Sequence, residues 1–240
     1  MKILYIGNSF STDATRYLQS VAGDELFVRN LYIGGCSLSM HAENIAAESA
    51  SYEYQIDALP TEMESINNAL LREKWDVISV QQVSGLSGIS KSYEPHLEYV
   101  LGFVKRNCPD AKIVFHRTWA YEQTSTHSAF PHYDSDRKKM FSAIVETTSK
   151  IAEKYSLDII PAGNAVEMAR ELAEFDITSG GMPITRDGFH LSFDYGRYLA
   201  ALVHYKFHTG KSCLDVKFAP EGTDPEIIEK LKAIADKAEA

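Results

Sequence analysis

Apolar positions along the chain follow two patterns. Five short runs are predominantly apolar: residues 2–7, 26–33, 75–82, 111–118 and 157–161. Runs of this length, with little polar alternation, predict strands covered on both faces, as in a parallel sheet. Between them, apolar residues recur every three or four positions, the spacing of a helix with one buried face. Residues 12–22 carry Ala14, Tyr17, Leu18 and Val21 in that spacing, with Ser11 or Thr12 placed to cap the helix and Asp13 in its positive first turn. Residues 66–73, 93–107, 137–155, 164–175, 193–207 and 224–240 read the same way; Ser192 opens the 193–207 helix, and the terminal one is strongly charged.

Strand and helix alternate throughout. That order predicts an α/β fold of flavodoxin-like or doubly wound type, with a five-stranded parallel sheet covered by helices on both faces. No internal repeat and no low-complexity linker interrupts it, so residues 1–240 are expected to form one domain. Residues 49–62 and 121–133 break the alternation and are long for connections, which makes them candidate functional loops.

The charge balance narrows the partners. With 24 basic and 33 acidic side chains the chain carries a net charge of −9. Nucleic acid requires a basic footprint, so it is not an expected partner, and neither is an anionic membrane surface. No apolar run approaches the roughly 20 residues of a membrane span. The first apolar run is too short for a signal peptide, so the chain as written is expected in the cytoplasm, or in the periplasm or outside if a leader has been removed. Cys36, Cys108 and Cys213 are odd in number and widely spaced, which opposes a disulfide framework and reads as reduced structural thiols.

In an open parallel sheet, ligands bind beyond the carboxyl ends of the strands. The first strand is followed there by Gly7-Asn8-Ser9-Phe10-Ser11, and the last long helix is preceded by Arg186-Asp187-Gly188-Phe189-His190-Leu191-Ser192. A serine at a strand-to-helix turn is a candidate nucleophile, provided a base lies within hydrogen-bond reach. His190 can be that base, and Asp187 can orient its imidazole and stabilise the cation.

Together these blocks resemble the SGNH, or GDSL, hydrolase superfamily. Gly7-Asn8-Ser9-Phe10-Ser11 is similar to its Gly-Asp-Ser-Leu-Ser block, Asp187-Gly188-Phe189-His190 to its closing Asp-x-x-His block, and Gly35 to its second-block glycine. The Gly-Asn-Ser-Phe-Ser form, with Thr118-Trp119-Ala120-Tyr121, further resembles a poorly characterised branch common in gut bacteria. The resemblance implies a three-layer α/β/α sandwich and hydrolysis of carboxylic esters, acetyl groups on carbohydrate among them, with no metal or cofactor. It implies Ser9 as nucleophile, His190 and Asp187 completing the triad, and the Ser9 and Gly35 N–H groups in the oxyanion hole. The substrate would be a small-molecule or oligosaccharide ester.

One block departs from the superfamily. Where Gly-x-Asn-Asp is usual, with its Asn as third oxyanion donor, this chain has Gln81-Gln82-Val83-Ser84-Gly85. A Gln amide offers the same donor on a longer arm, so Gln82 is the first candidate, with Gln81 and Ser84 behind it. Trp119, Tyr121 and Phe130 gather at the fourth strand end, where Trp119 and Tyr121 could stack on a sugar ring or else cover the sheet edge. His41 is expected on a helix surface, or lining the same end of the sheet.

Other signals lead elsewhere only weakly. His204 and His208 stand at i, i+4 with no acidic residue at the zincin position, and His116, His127 and His132 match no zinc spacing. There is no phosphate-binding GxxxxGK[ST] loop, no GxGxxG and no complete GxSxG elbow. Besides a serine esterase, two alternatives fit: a catalytically weak carbohydrate-binding protein on the same fold, and an acyltransferase using the same triad.

Overall fold

The first apolar run forms a strand whose side chains alternate between two cores. Ile3 and Tyr5 enter one apolar cluster, Leu4 and Ile6 the other. The structure, a computed structural model, describes residues 1–240. Its strands in chain order are β1 (Lys2–Gly7), β2 (Phe27–Tyr32), β3 (Tyr52–Ile56), β4 (Leu59–Glu64), β5 (Val77–Val80), β6 (Lys112–His116) and β7 (Asp158–Ile160). Their spatial order is β4-β3-β2-β1-β5-β6-β7. Strands β2, β1, β5, β6 and β7 pair in parallel, as the continuous apolar runs predict.

The helices are α1 (Ser9–Thr15), α2 (Leu18–Ala22), α3 (Leu38–Ala46), α4 (Ile66–Leu71), α5 (His96–Asn107), α6 (Arg137–Tyr155), α7 (Ala162–Ala169), α8 (Tyr195–Thr209) and α9 (Pro225–Lys237). Helices α3, α4 and α5 bury their apolar faces against Leu4, Ile6, Ile78 and Val80. Helices α1, α2, α7, α8 and α9 cover Ile3, Tyr5, Val28 and Val77 on the opposite face. The result is a three-layer α/β/α sandwich.

The sheet has seven strands, not five. Residues 49–62, which carry no regular pattern, supply most of an antiparallel hairpin that extends the sheet beyond β2. Its two-residue turn is Asp57-Ala58, with φ of 53° and 61°. Both values suit the left-handed turn that matches strand twist, but Ala is not a residue that announces it. The caps differ in part. Asn8, not Ser11 or Thr12, caps α1, while at the start of α8 Asp194 is the N-cap and Ser192 Oγ also accepts the Gly196 N–H at 2.9 Å.

Asp13 does not serve the first turn of a helix. It is 1% exposed, and its carboxylate joins three segments. Arg186 Nη1 donates to Oδ1 and Oδ2 at 3.1 and 3.0 Å, Arg197 Nε donates to Oδ1 at 2.8 Å, and the Leu191 N–H donates to Oδ2 at 2.9 Å. A carboxylate removed from water needs such a set, because unpaired burial costs several kcal/mol. Helix α1, the segment before α8 and α8 itself are thereby held together.

A second buried polar group lies behind β1. The Tyr5 hydroxyl bonds His204 Nδ1 at 2.8 Å and His208 Nε2 at 2.9 Å. The i, i+4 pair on α8 is thus engaged by a phenol, and no group of three or more His, Cys, Asp or Glu side chains forms a metal cluster anywhere in the chain. Burial pushes His116 and His208 down to about 3, and His204 well below its usual 6.5. No helix is long and apolar enough to cross a membrane. The three cysteines are free and buried, and burial pushes the Cys36 and Cys213 thiols up to about 12.

Two outcomes are expected for stability. Asp13→Ala leaves two part-buried guanidiniums without their shared anion and should cost about 3 kcal/mol in urea unfolding, at the low end of buried-pair losses because the guanidiniums keep some water. A loss under about 1 kcal/mol would show that the carboxylate is not holding these segments. The buried histidines set the pH response. Their folded values lie below 6.5, so as pH falls through about 6.5 the unfolded chain binds protons that the folded chain does not. Stability is therefore lost on the acid side of 6.5, and the urea midpoint should be lower at pH 5 than at pH 7.5; an equal or higher midpoint at pH 5 contradicts the neutral buried state.

Candidate active site

β1 ends at Gly7 because the chain turns there against α1. A Cβ on Gly7 would lie 2.4 Å from Ser11 Oγ, so only glycine lets the first helical turn sit this close. Asn8 then adopts an extended conformation and caps α1, accepting the Phe10 N–H at 3.0 Å. Its side chain does two further things. Oδ1 also accepts from Gln81 Nε2 at 2.9 Å, and Nδ2 donates to the Cys36 carbonyl at 3.0 Å. One buried amide thus ties together the segments after β1, β2 and β5, and it holds the Gly35–Cys36 segment beside Ser9. Gly35 is exposed, with φ of +65°, a conformation that suits glycine.

Ser9 is half-buried at the first position of α1. Its Oγ lies 2.8 Å from His190 Nε2, and His190 Nδ1 lies 2.7 Å from Asp187 Oδ2. The Asp187–His190 turn builds itself locally: Asp187 Oδ1 accepts the backbone N–H groups of His190 at 2.8 Å and Phe189 at 3.2 Å. Partial burial raises the Asp187 carboxyl, but these hydrogen bonds outweigh it and hold the group below its usual value. Asp187 is therefore an anion at neutral pH, placed to receive a proton-bearing Nδ1. The three residues expected to form a triad are in one hydrogen-bonded line.

A buried layer beneath fixes that line. Trp119 stacks on Phe10, the neighbour of Ser9, with ring centres 4.3 Å apart and planes 14° from parallel. Its indole N–H donates to the carbonyl of Phe189, the neighbour of His190, at 2.7 Å. The Glu122 N–H donates to the Gly188 carbonyl at 2.7 Å. Asp13 completes the frame by linking α1 to Leu191.

Several expected roles change. Gln82 is fully buried, and both ends of its amide are occupied: Oε1 accepts from the Leu38 and Val83 N–H groups, while Nε2 donates to Ser92 O and Oγ. It caps structure around α3 and has no free donor for an oxyanion. Gln81 is likewise engaged, between Asn8 and His116, whose Nδ1–H donates to Gln81 Oε1 at 2.9 Å. Ser84 Oγ bonds the Tyr121 hydroxyl at 2.9 Å. Trp119 and Tyr121 are fully buried and Phe130 nearly so, so they pack under the site and present no face to a sugar. His41 is buried in α3 against the Tyr52 hydroxyl at 2.8 Å, not on a surface.

Asn8 and Asp13 hold the site together, a role that the sequence pattern assigned to neither. Asn8 carries a signal, an N-cap residue directly after a strand-ending glycine. Asp13 carries none, because its partners lie over 170 positions away.

Comparison with known proteins agrees with the architecture. A crystal structure of a DUF4886 family protein from Bacteroides uniformis ATCC 8492 is 36% identical, covers 98% of this chain and 93% of its own, and superposes with a TM-score of 0.90. A candidate SGNH hydrolase from Slackia heliotrinireducens is 20% identical over 86% of this chain and 97% of its own, with a TM-score of 0.57. The acetyl xylan esterase AlAXEase is 12% identical over 83% and 96%, with a TM-score of 0.56. These last two show a shared SGNH-hydrolase fold. No curated protein sequence matches the chain. The profile of the family described as "Domain of unknown function (DUF4886)" matches residues 2–238, and the chain belongs to that family.

Proposed function

We propose that the protein is a serine esterase that hydrolyses carboxylic esters, acetyl esters on carbohydrate foremost, through an acyl-enzyme. The observation that carries this reading is the line from Ser9 Oγ to His190 Nε2 at 2.8 Å and from His190 Nδ1 to Asp187 at 2.7 Å. Serine is unreactive without a base, and this is the geometry in which a base activates it.

His190 Nε2 takes the Ser9 proton as Oγ attacks the ester carbonyl carbon. The carbonyl oxygen becomes an oxyanion held by the Ser9 and Gly35 N–H groups. The imidazolium, stabilised by Asp187, then gives its proton to the leaving alcohol oxygen as the C–O bond breaks. Water attacks the acyl-enzyme, losing its proton to His190; collapse frees the acid and returns the proton to Ser9.

The oxyanion hole lacks a third side-chain donor, since Gln81 and Gln82 are both occupied. Removing one such donor elsewhere costs about 10²–10³ in kcat, so a slow esterase is expected here. The acetyl preference is supported by the fold shared with an acetyl xylan esterase.

Hydrolysis of p-nitrophenyl acetate by wild type and by Ser9→Ala tests the proposal. Wild type should turn over, and Ser9→Ala should fall by about 10³ or more in kcat/KM. Equal rates for the two proteins would remove Ser9 from the chemistry.

A further inference from the structure

With Trp119, Tyr121 and Phe130 buried and Phe189 half-buried against the His190 ring, the aromatic ring most open to solvent in the segment around His190 is Phe193. Phe193, three residues after His190, is 60% exposed and is the one phenylalanine among the exposed large apolar side chains. It is also held still. The Tyr17 hydroxyl donates to its carbonyl at 2.9 Å. The guanidinium carbons of Arg186 and Arg197 lie 4.8 and 4.7 Å from its ring centre. Both guanidiniums are bound to the single carboxylate of Asp13, which draws them to the same side of the residue. A ring that stays 60% exposed is not covered on both faces, so it keeps an open face to solvent.

Arg186 adds polar donors at the rim. All of its hydrogen bonds run through Nη1, to Asp13 and to the Leu191 carbonyl, which leaves Nε and Nη2 unengaged beside the ring. A rigid exposed ring with adjacent N–H donors is suited to a ligand having an apolar C–H face and oxygen acceptors at its edge. A single ring among Arg186, Asp187, Ser192 and Asp194 is too small and too polar for a protein interface, which needs a far larger patch. The net charge of −9 opposes an anionic lipid surface.

We infer that Phe193 and Arg186 form a subsite for a pyranose ring attached to the scissile ester, with the ring stacked on the open face of Phe193 and its oxygens accepting from Arg186. This rests on the esterase reading for its chemistry and adds to it the part of the substrate that is recognised.

The test compares two acetate esters: acetylated methyl β-D-glucopyranoside, which has a ring to stack, and glycerol triacetate, which has none. p-Nitrophenyl acetate is unsuitable here, because its own ring can stack. Phe193→Ala should lower kcat/KM for the glucoside about tenfold more than for glycerol triacetate, mainly through KM, and Phe193→Trp should restore most of it. Equal losses on both esters, or a loss that Trp does not rescue, would overturn the subsite. Calorimetric binding of the acetylated glucoside to Ser9→Ala, with and without Phe193→Ala, gives a readout free of turnover. A Kd raised about tenfold by Phe193→Ala supports the subsite, and an unchanged Kd overturns it. Absence of hydrolysis in wild type, alongside a Kd that responds to Phe193, would refute the esterase reading while leaving the subsite in place.

Discussion

A hydrogen bond between two side chains 181 positions apart in sequence demands that their elements be fixed to a few tenths of an ångström, and in this chain one buried carboxylate does most of that. Asp13 stands one helical turn after Ser9, and the N–H it accepts belongs to Leu191, the residue after His190. The two arginines that neutralise it flank the same turn, one just before Asp187 and one in α8. Ser9 and His190 are therefore referenced to a common anchor rather than to each other. Trp119 repeats the arrangement from below, touching the neighbour of each residue. Asn8 repeats it across the strand ends, joining Ser9 to the Gly35 segment. Such redundancy matters because reacting groups misplaced by 1 Å can lose about 10² in rate.

Much of this was legible in the sequence, for identifiable reasons. The parallel strands announce themselves because both faces are buried and polar residues are few. Asp187 and His190 are readable because their contact is local, three residues apart, and Ser9 because the end of a first strand is where this class of fold places chemistry. What escaped is non-local. Asn8, Ser11 and Thr12 are all competent caps, and the choice is made by Gln81 and the Cys36 carbonyl, which no local pattern reports. The β3–β4 hairpin turns on Asp57-Ala58, without the glycine or asparagine that usually marks left-handed backbone.

The aromatic and glutamine residues teach a related lesson. Trp119 and Tyr121 at a strand end have the same sequence signature whether they face a ligand or a core. The Asp187–His190 turn covers them, and that turn comes from a distant part of the chain. Gln82 has the right functional group in nearly the right place, but α3 begins beside it and its first N–H takes the amide oxygen. A side chain at a functional position is available only if the surrounding backbone has satisfied its own hydrogen bonds without it.

The central claim is that Ser9 is an activated nucleophile and that His190 activates it. Labelling with a fluorophosphonate probe, followed by peptide mapping, tests this without any assumption about substrate. The account predicts one probe per chain on Ser9 in the wild type, and loss of labelling in His190→Ala. An unlabelled Ser9, or labelling that persists undiminished in His190→Ala, would contradict it.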